Sequence, residues 1–442
     1  MNDKSGLEVH YRAVSALWDS RHNSRVHSKH QIRQIAASIQ EFGFTNPILI
    51  DSKGTIVCGH GRAAAARLLG IEQVPTIELE NLTQDQIRAY LLADNKLAEK
   101  AGWDKSILAI ELQYLINLDA NFDITLTGFD VPEIDLIIED AKGGSKLDED
   151  DRFILPNATS PVSQTGDFWL LGKHRLLCGS SLESRCFDLL MGSQRADVVF
   201  VDPPYNVPID GHAIGNGSIH HPDFAMGSGE MNEAEFTDFL TMSFRLLARH
   251  SRRGSVHFVC MDWRHMGELL SAGRQIYGKL LNLCVWAKDN AGMGSFYRSQ
   301  HELIFVFRNG KGRYRNNIQL GQHGRNRTNI WNYPSVNTLS RQGDEGNLLA
   351  LHPTVKPVAL VADALLDCSA RGEVILDSFL GSGSTLLAAE RVGRVCAGIE
   401  IDPLYVDVAV RRWQKHTGDH AVHAVTGRLF DEIAAASDVN HG

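Results

Sequence analysis

The sequence predicts an α/β protein in two parts, an open α/β sheet in the larger C-terminal portion and a smaller α+β domain ahead of it. Three observations carry this. First, Val198–Val201 and Val374–Leu376 are short, unbroken apolar runs of the kind that form buried parallel strands. Second, each run ends in an aspartate followed by turn-forming residues, Asp202-Pro203-Pro204-Tyr205 and Asp377-Ser378-Phe379-Leu380-Gly381-Ser382-Gly383. Third, helix-period segments alternate with strand-like runs on either side, and 442 residues exceed what one ordinary core holds.

Composition narrows the class. A hydrophobic content of 43% with 22% charged residues fits a soluble globular chain. No run approaches the ~20 apolar residues of a membrane helix, and the first residues lack a signal-peptide core, so a cytoplasmic protein is expected. Seven cysteines form no C-x-x-C pair, which argues against a disulfide framework or a zinc knuckle. The net charge of −9 argues against nonspecific coating of nucleic acid. Its distribution is uneven. Residues 130–151 hold nine acids and two lysines, as in a solvated linker. From Arg298 to Arg341 there are eight basic residues and a single acid, Glu302, as on a phosphate-facing surface.

Taken in order, Ser28-x-x-Gln31 caps a helix with Ile32, Ile35, Ile39 and Phe42 on one face, stopped by Gly43. Residues 47–50 and 55–58 read as a hairpin, and Gly59-His60-Gly61-Arg62 leads into an alanine-rich helix. Residues 74–79 are a strand. Thr83-x-x-Gln86 caps another helix, a further one runs from about Trp103 to Leu118, and a short one begins near Pro132. Residues 168–171 and 174–178 are strands, the second ending in Gly179-Ser180. The Gly- and His-rich segment 209–230 is too long for an ordinary βα loop and reads as a mobile lid. Its three histidines lack metal-ligand spacing, so no metal is expected. Asn232 caps a helix to His250, and residues 255–260 are a strand. Residues 281–288 and 302–307 are antiparallel strands around a loop holding Arg298. The stretch 309–345 has little apolar periodicity. After it, residues 352–369, 374–377, 386–392, 395–401 and 404–416 restore the α/β alternation.

The two aspartate turns carry the chemistry. The prolines after Asp202 have no N–H to give a ladder, so they end the strand and stiffen the turn at its C-terminal end, where open α/β sheets bind ligands. Asp202, the proline carbonyls and the Tyr205 ring together suit a planar substrate with an exocyclic NH2. The second turn, a strand followed by Gly381-Ser382-Gly383 and a helix, has an acid, Glu400, 17 residues past Gly383 at the tip of the next strand. Such a carboxylate can take both hydroxyls of a ribose. No Gly-Lys-Ser/Thr follows, and no third glycine stands near Leu386. Pyrophosphate cofactors are therefore disfavoured against S-adenosylmethionine. A ligand-free glycine turn is the plain alternative.

The two motifs in this order, with His352-Pro353-Thr354-Val355-Lys356-Pro357 before the second, resemble the DNA amino-methyltransferases of the beta class over residues 165–416. The resemblance implies a class I methyltransferase Rossmann-like sheet, circularly permuted, with the target-recognition insertion at about 308–350. It implies cofactor contacts from Asp377, Phe379, Gly381, Gly383, Glu400, Ser180 and Lys356, and a catalytic turn of Asp202, Pro203, Pro204 and Tyr205. Ser180 stands where the family has an aspartate. Arg298, Arg308, Lys311, Arg313, Arg315, Arg325 and Arg327 are expected to meet double-stranded DNA. Residues 7–100 resemble the ParB/sulfiredoxin-like N-terminal domain, centred on residues 56–62, with Ala93-Asp94-Asn95-Lys96 downstream. There Gly59 and Arg62 are candidate phosphate contacts. The expected domains are 7–138, an acidic linker 139–164, and 165–442.

The expected reaction is methylation of the exocyclic amine of adenine in a flipped-out base, as in a restriction-modification methyltransferase. Cytosine N4 is the nearest alternative. A ParB-like DNA-binding protein with a decayed methyltransferase half is the alternative from another class. A homodimer is left open as an assembly.

Overall fold

The computed structural model describes residues 7–118, 123–141, 151, 161–206, 229–289, 291, 296–318, 325–334 and 355–440. It divides into two compact units, residues 1–142 and 143–442. Most of the expected lid at 209–230 and most of the acidic linker fall outside the described residues, as do Arg341 and residues 351–354. Among the described residues no helix is long and apolar enough to cross a membrane.

The first unit holds strands β1 (His10–Ala13), β2 (Ile48–Ile50), β3 (Ile56–Cys58) and β4 (Gln73–Glu78), in the order β1-β4-β2-β3. Its helices are α1 (Lys29–Phe42), α2 (His60–Leu69), α3 (Gln84–Lys100), α4 (Lys105–Leu118) and α5 (Val131–Ala141). The cap expected at Ser28 is present, its hydroxyl accepting from the Gln31 N–H, and Thr83 with Gln86 closes a full capping box. Strand β1 was not legible in the sequence. Its pairing to β4 supplies the order that its own residues lack. Leu112 of α4 packs with Ile134 and Ile138 of α5 around a small core of their own.

The second unit is one sheet of ten strands: β5 (Phe168–Leu171), β6 (His174–Cys178), β7 (Ala196–Val201), β8 (Ser251–Met261), β9 (Lys279–Ala287), β10 (His301–Arg308), β11 (Ile330–Asn332), β12 (Val374–Asp377), β13 (Val395–Glu400) and β14 (Val422–His423). Their order is β11-β9-β10-β8-β7-β12-β13-β6-β5-β14. Strands β6, β13, β12, β7 and β8 run parallel, and β10 is reversed between β8 and β9. Helices α6 (Ser184–Met191), α7 (Glu233–Arg249), α8 (Met266–Ile276), α9 (Val358–Cys368), α10 (Ser384–Arg391), α11 (Pro403–Thr417) and α12 (Phe430–Asn440) complete the unit. Two buried apolar clusters form its core. One includes Trp169, Leu360 and Trp413, the other Phe187, Phe236 and Phe305. Alternate residues of β7 divide between them, Val198 and Phe200 in the first, Val199 and Val201 in the second. That split is why the strand reads as an unbroken apolar run rather than an alternating one.

This topology positions the site. From β12 the chain proceeds to β13 on one side, whereas from β7 it proceeds to β8 on the other. Between β7 and β12 lies the switch point where open α/β sheets form a crevice at the strand tips. Both aspartate turns emerge there, because β7 and β12 are adjacent and parallel, Ile375 opposite Val198 and Leu376 opposite Val199.

Candidate active site

On the β7 side, the turn after Val201 bends at Asn206, which holds a φ of 53° and is the only positive-φ residue besides glycines among the described residues. Asparagine tolerates that left-handed conformation. Its side chain is fixed at both ends, the amide N–H donating to the Met231 carbonyl at 2.7 Å and the amide oxygen accepting from the Met231 N–H at 3.2 Å. Within the turn the Tyr205 hydroxyl donates to Asp202 Oδ1 at 2.6 Å and lies 3.0 Å from Glu302 Oε2. The Lys356 ammonium donates to Asp202 Oδ2 at 2.6 Å and sits 2.9 Å from Glu302 Oε2. Lys288 pairs with the other oxygen of Glu302.

Burial pushes the Asp202 carboxyl above its ordinary range, against the pull of the Lys356 charge. Burial would also raise Glu302, but the ammonium groups of Lys356 and Lys288 overcome it and hold that carboxyl at about 2. Lys356 is itself shifted upward, because the two carboxylates outweigh its desolvation.

On the β12 side, Gly381 and Gly383 take φ values of 53° and 88°, which side-chain-bearing residues rarely adopt. A Cβ on Gly383 would also lie 2.9 Å from that of Ala409. The Phe379 N–H donates to Asp377 Oδ1 at 2.9 Å. Glu400, at the tip of β13, accepts from the Gly381 N–H at 2.7 Å through Oε2 and from the Asp402 N–H at 2.8 Å through Oε1. Ser180 follows β6, whose Cys178 pairs with Glu400, so it stands beside that carboxylate along the same row of tips. Burial raises both Asp377 and Glu400 to about 7. The hydroxyls of Ser378 and Ser384 are buried without a hydrogen-bond partner among the described residues.

These residues fit a polar, nucleoside-bearing cofactor. The positive-φ glycines keep the backbone open to close approach. Glu400 retains acceptor capacity for a hydroxyl, and two buried hydroxyls have no partner among the described residues.

Residues 196–411 match the DNA methylase family, residues 106–165 the ParB-methyltransferase HTH domain, and residues 2–95 the ParB N-terminal domain. The chain carries an N6/N4 DNA methylase domain and a ParB N-terminal domain. It is 48% identical over 80 residues to the ParB-like nuclease domain-containing protein YnaK of Escherichia coli (strain K12), a match covering 18% of this chain and 92% of that protein. It is 25% identical over 251 residues to the type II methyltransferase M2.MboI of Moraxella bovis, covering 53% of this chain and 87% of that one. Among solved structures, the PvuII DNA methyltransferase (cytosine-N4-specific) is 15% identical with a TM-score of 0.41, over 62% of this chain and 93% of that one. The ten-stranded sheet of this N6/N4 methylase, with β10 reversed between parallel neighbours, is the class I methyltransferase sheet, and its β7 turn precedes its β12 turn in the chain.

Several expectations need correction in this methylase. Lys356, expected at the cofactor, bonds to Asp202, Glu302 and Tyr205 on the β7 side of the crevice. Arg325, expected on DNA, is buried and pairs with Asp363 and Asp367 on α9. Arg327 pairs with the same two carboxylates, and its guanidinium lies over the Trp331 ring. These two arginines tie the chain around β11 to α9, and neither is presented to a duplex. Arg308 ends β10 and Lys311, Arg313 and Arg315 follow it; because that strand runs against its neighbours, they lie at the end of the sheet opposite the aspartate turns. Arg308 is level with Val256 of β8, which pairs with Val198 near the start of β7, Gly312 packs on Arg253, and Arg315 pairs with Glu373 just before β12. Of the expected DNA residues, only Arg298 lies at the catalytic end, in the β9–β10 loop beside the exposed rings of Phe296 and Tyr297.

In the ParB domain, Gly59 begins α2 in a left-handed conformation, and the half-buried Arg62 guanidinium folds back over it. The helical segment matched as an HTH domain was read in the sequence only as two helices and a linker. Its signal was the pairing of α4 with α5 across a short connection.

Proposed function

We propose that this chain transfers a methyl group from S-adenosylmethionine to the N6 amine of adenine in double-stranded DNA, with the target base turned out of the helix. The observation that carries the reading is the adjacency of β7 and β12, which sets the Asp202 turn and the glycine turn at one crevice. A base amine inside a duplex cannot reach such a crevice, so the base must be extruded at a cost of a few kcal/mol.

Gly381, Gly383, Asp377 and Phe379 would border the cofactor, with Glu400 on its ribose and Ser180 near its base. When bound, S-adenosylmethionine supplies a methyl group already activated by a sulfonium charge. Asp202 would accept one amine hydrogen and the Pro203 carbonyl the other, aligning the nitrogen lone pair. Asp202 would also accept the proton that the amine sheds. The Tyr205 ring would stack on the base. Orientation of this kind, with fixed dipoles, supplies much of the acceleration in such sites.

Adenine is favoured over cytosine because the catalytic turn begins with aspartate, a family tendency. The DNA would approach the end bearing Arg298, Phe296 and Tyr297. The ParB and HTH segments would add contacts to the substrate, with Gly59 and Arg62 as phosphate contacts, in a modification enzyme of the restriction-modification kind. The test is to incubate the protein with S-adenosylmethionine and mixed-sequence duplex DNA, digest to nucleosides and measure them by mass spectrometry. N6-methyladenine is expected. N4-methylcytosine alone would move the assignment to cytosine, and no methylated nucleoside would overturn it.

A further inference from the structure

We infer that Lys356 and Glu302 are positioning residues for Asp202, acting in opposite senses to fix its charge and hence the pH range over which methyl transfer runs. The inference rests on the activity proposed above but concerns groups that reading leaves without a role.

Asp202 holds an amine best as a carboxylate. Protonated, it loses an acceptor and presents a donor to a donor. Its surroundings oppose ionisation. Across β8 it faces the Cys260 thiol, across β12 the Asp377 carboxyl, across β10 the Glu302 carboxylate, and within its own turn the Tyr205 hydroxyl. Each of these is neutral or negative. Among the described residues the one cation bonded to Asp202 is Lys356, delivered by the segment ahead of α9, with its ammonium 2.6 Å from Oδ2. Lys356 is nearly inaccessible, with 3% of its side chain exposed, so solvent screens the pair little.

Glu302 works against Asp202 by charge and for it by geometry. It is a buried acid in β10, immediately ahead of the apolar run Leu303–Phe307, a placement that is costly unless paired. Its pairing is complete, with Lys356 at 2.9 Å on one oxygen and Lys288 on the other. Lys356 is thereby held between two carboxylates, and Lys288 lies over the Trp286 ring at 4.6 Å. The four residues carry no net charge, so a cationic cofactor meets a neutral set. Two opposite-sign effects on one carboxylate follow. Removing the Lys356 charge should make Asp202 harder to ionise, and removing the Glu302 charge should make it easier.

The test follows single-turnover methyl transfer to duplex DNA from pH 5 to 9 in wild type, Lys356→Met, Lys356→Arg and Glu302→Gln, with cofactor affinity measured in parallel. The expected result is an acidic limb raised by roughly one to three pH units in Lys356→Met. It should stay near wild type in Lys356→Arg and fall in Glu302→Gln, with cofactor affinity unchanged in all. A second readout does not depend on turnover. The Asp202 carboxyl band in difference infrared spectra, assigned by its loss in Asp202→Asn, should titrate with the same two opposite shifts. A band and limb unmoved in Lys356→Met, or moved the same way in Lys356→Met and Glu302→Gln, would overturn the inference. A wild-type protein that methylates nothing while its band shifts as stated overturns the proposed activity and leaves this assignment standing.

Discussion

The two halves of the crevice solve the same problem in different ways. Both gather carboxyl groups along one row of strand ends, Asp202 of the β7 turn with Glu302 of β10 across β8 on one side, and Asp377 with Glu400 on the adjacent strands β12 and β13 on the other. The first pair is matched by two lysines. The second pair is met by backbone N–H groups and hydroxyls, and both of its carboxyls rise to about 7. A carboxylate with its own cation is ready to act before anything binds. One without a cation is suited to a ligand that brings positive charge, as S-adenosylmethionine does. The difference separates a preformed chemical half from a half completed by its cofactor.

The largest effect that would break this comparison comes from Asp202→Ala. It should lower methyl transfer by about 10²- to 10⁴-fold while leaving cofactor affinity and thermal unfolding near wild type. Residual transfer within a few-fold of wild type would remove Asp202 from the preformed half. Next in size is Arg325→Glu, which places a third negative charge beside Asp363 and Asp367 in a buried position. It should cost about 3–5 kcal/mol in denaturant unfolding, and a stability change below 1 kcal/mol would return Arg325 to the surface.

The ligand-completed half makes a prediction in pH. Glu400 near 7 is largely protonated at pH 6 and largely ionised at pH 8. Only the ionised form offers all its lone pairs to a ribose. Cofactor affinity should therefore rise severalfold across that interval in calorimetric titrations, and Glu400→Gln should bind more weakly with no such rise. The smallest effects concern DNA. Arg298→Ala should lower the slope of log affinity against log salt by about one, while Arg313→Ala and Arg315→Ala leave it unchanged. The reverse pattern would put the duplex at the other end of the sheet.

Much of this was legible in the sequence. The apolar strands, their proline and glycine stops, the capping boxes and the acid after the glycine turn are local signals, and local signals survive without knowledge of the partner. Strand direction does not. The arginines after residue 308 look like one basic surface when counted along the chain, yet the reversal of β10 sends them away from the catalytic end. Arg325 and Arg327 were misread because their acids, Asp363 and Asp367, lie some 40 residues on, in a helix whose packing no local pattern reveals. The place of Lys356 beside Asp202 and Glu302 was hidden for the same reason. Glu302 did carry a signal, a lone acid entering an apolar strand, and it is the residue that explains where Lys356 goes.

The most direct test is the structure of this chain with S-adenosylmethionine bound. The account predicts the ribose on Glu400, the glycine turn along the cofactor, and the methyl carbon facing Asp202. A cofactor seated elsewhere, or one whose methyl turns away from the Asp202–Tyr205 turn, would contradict it.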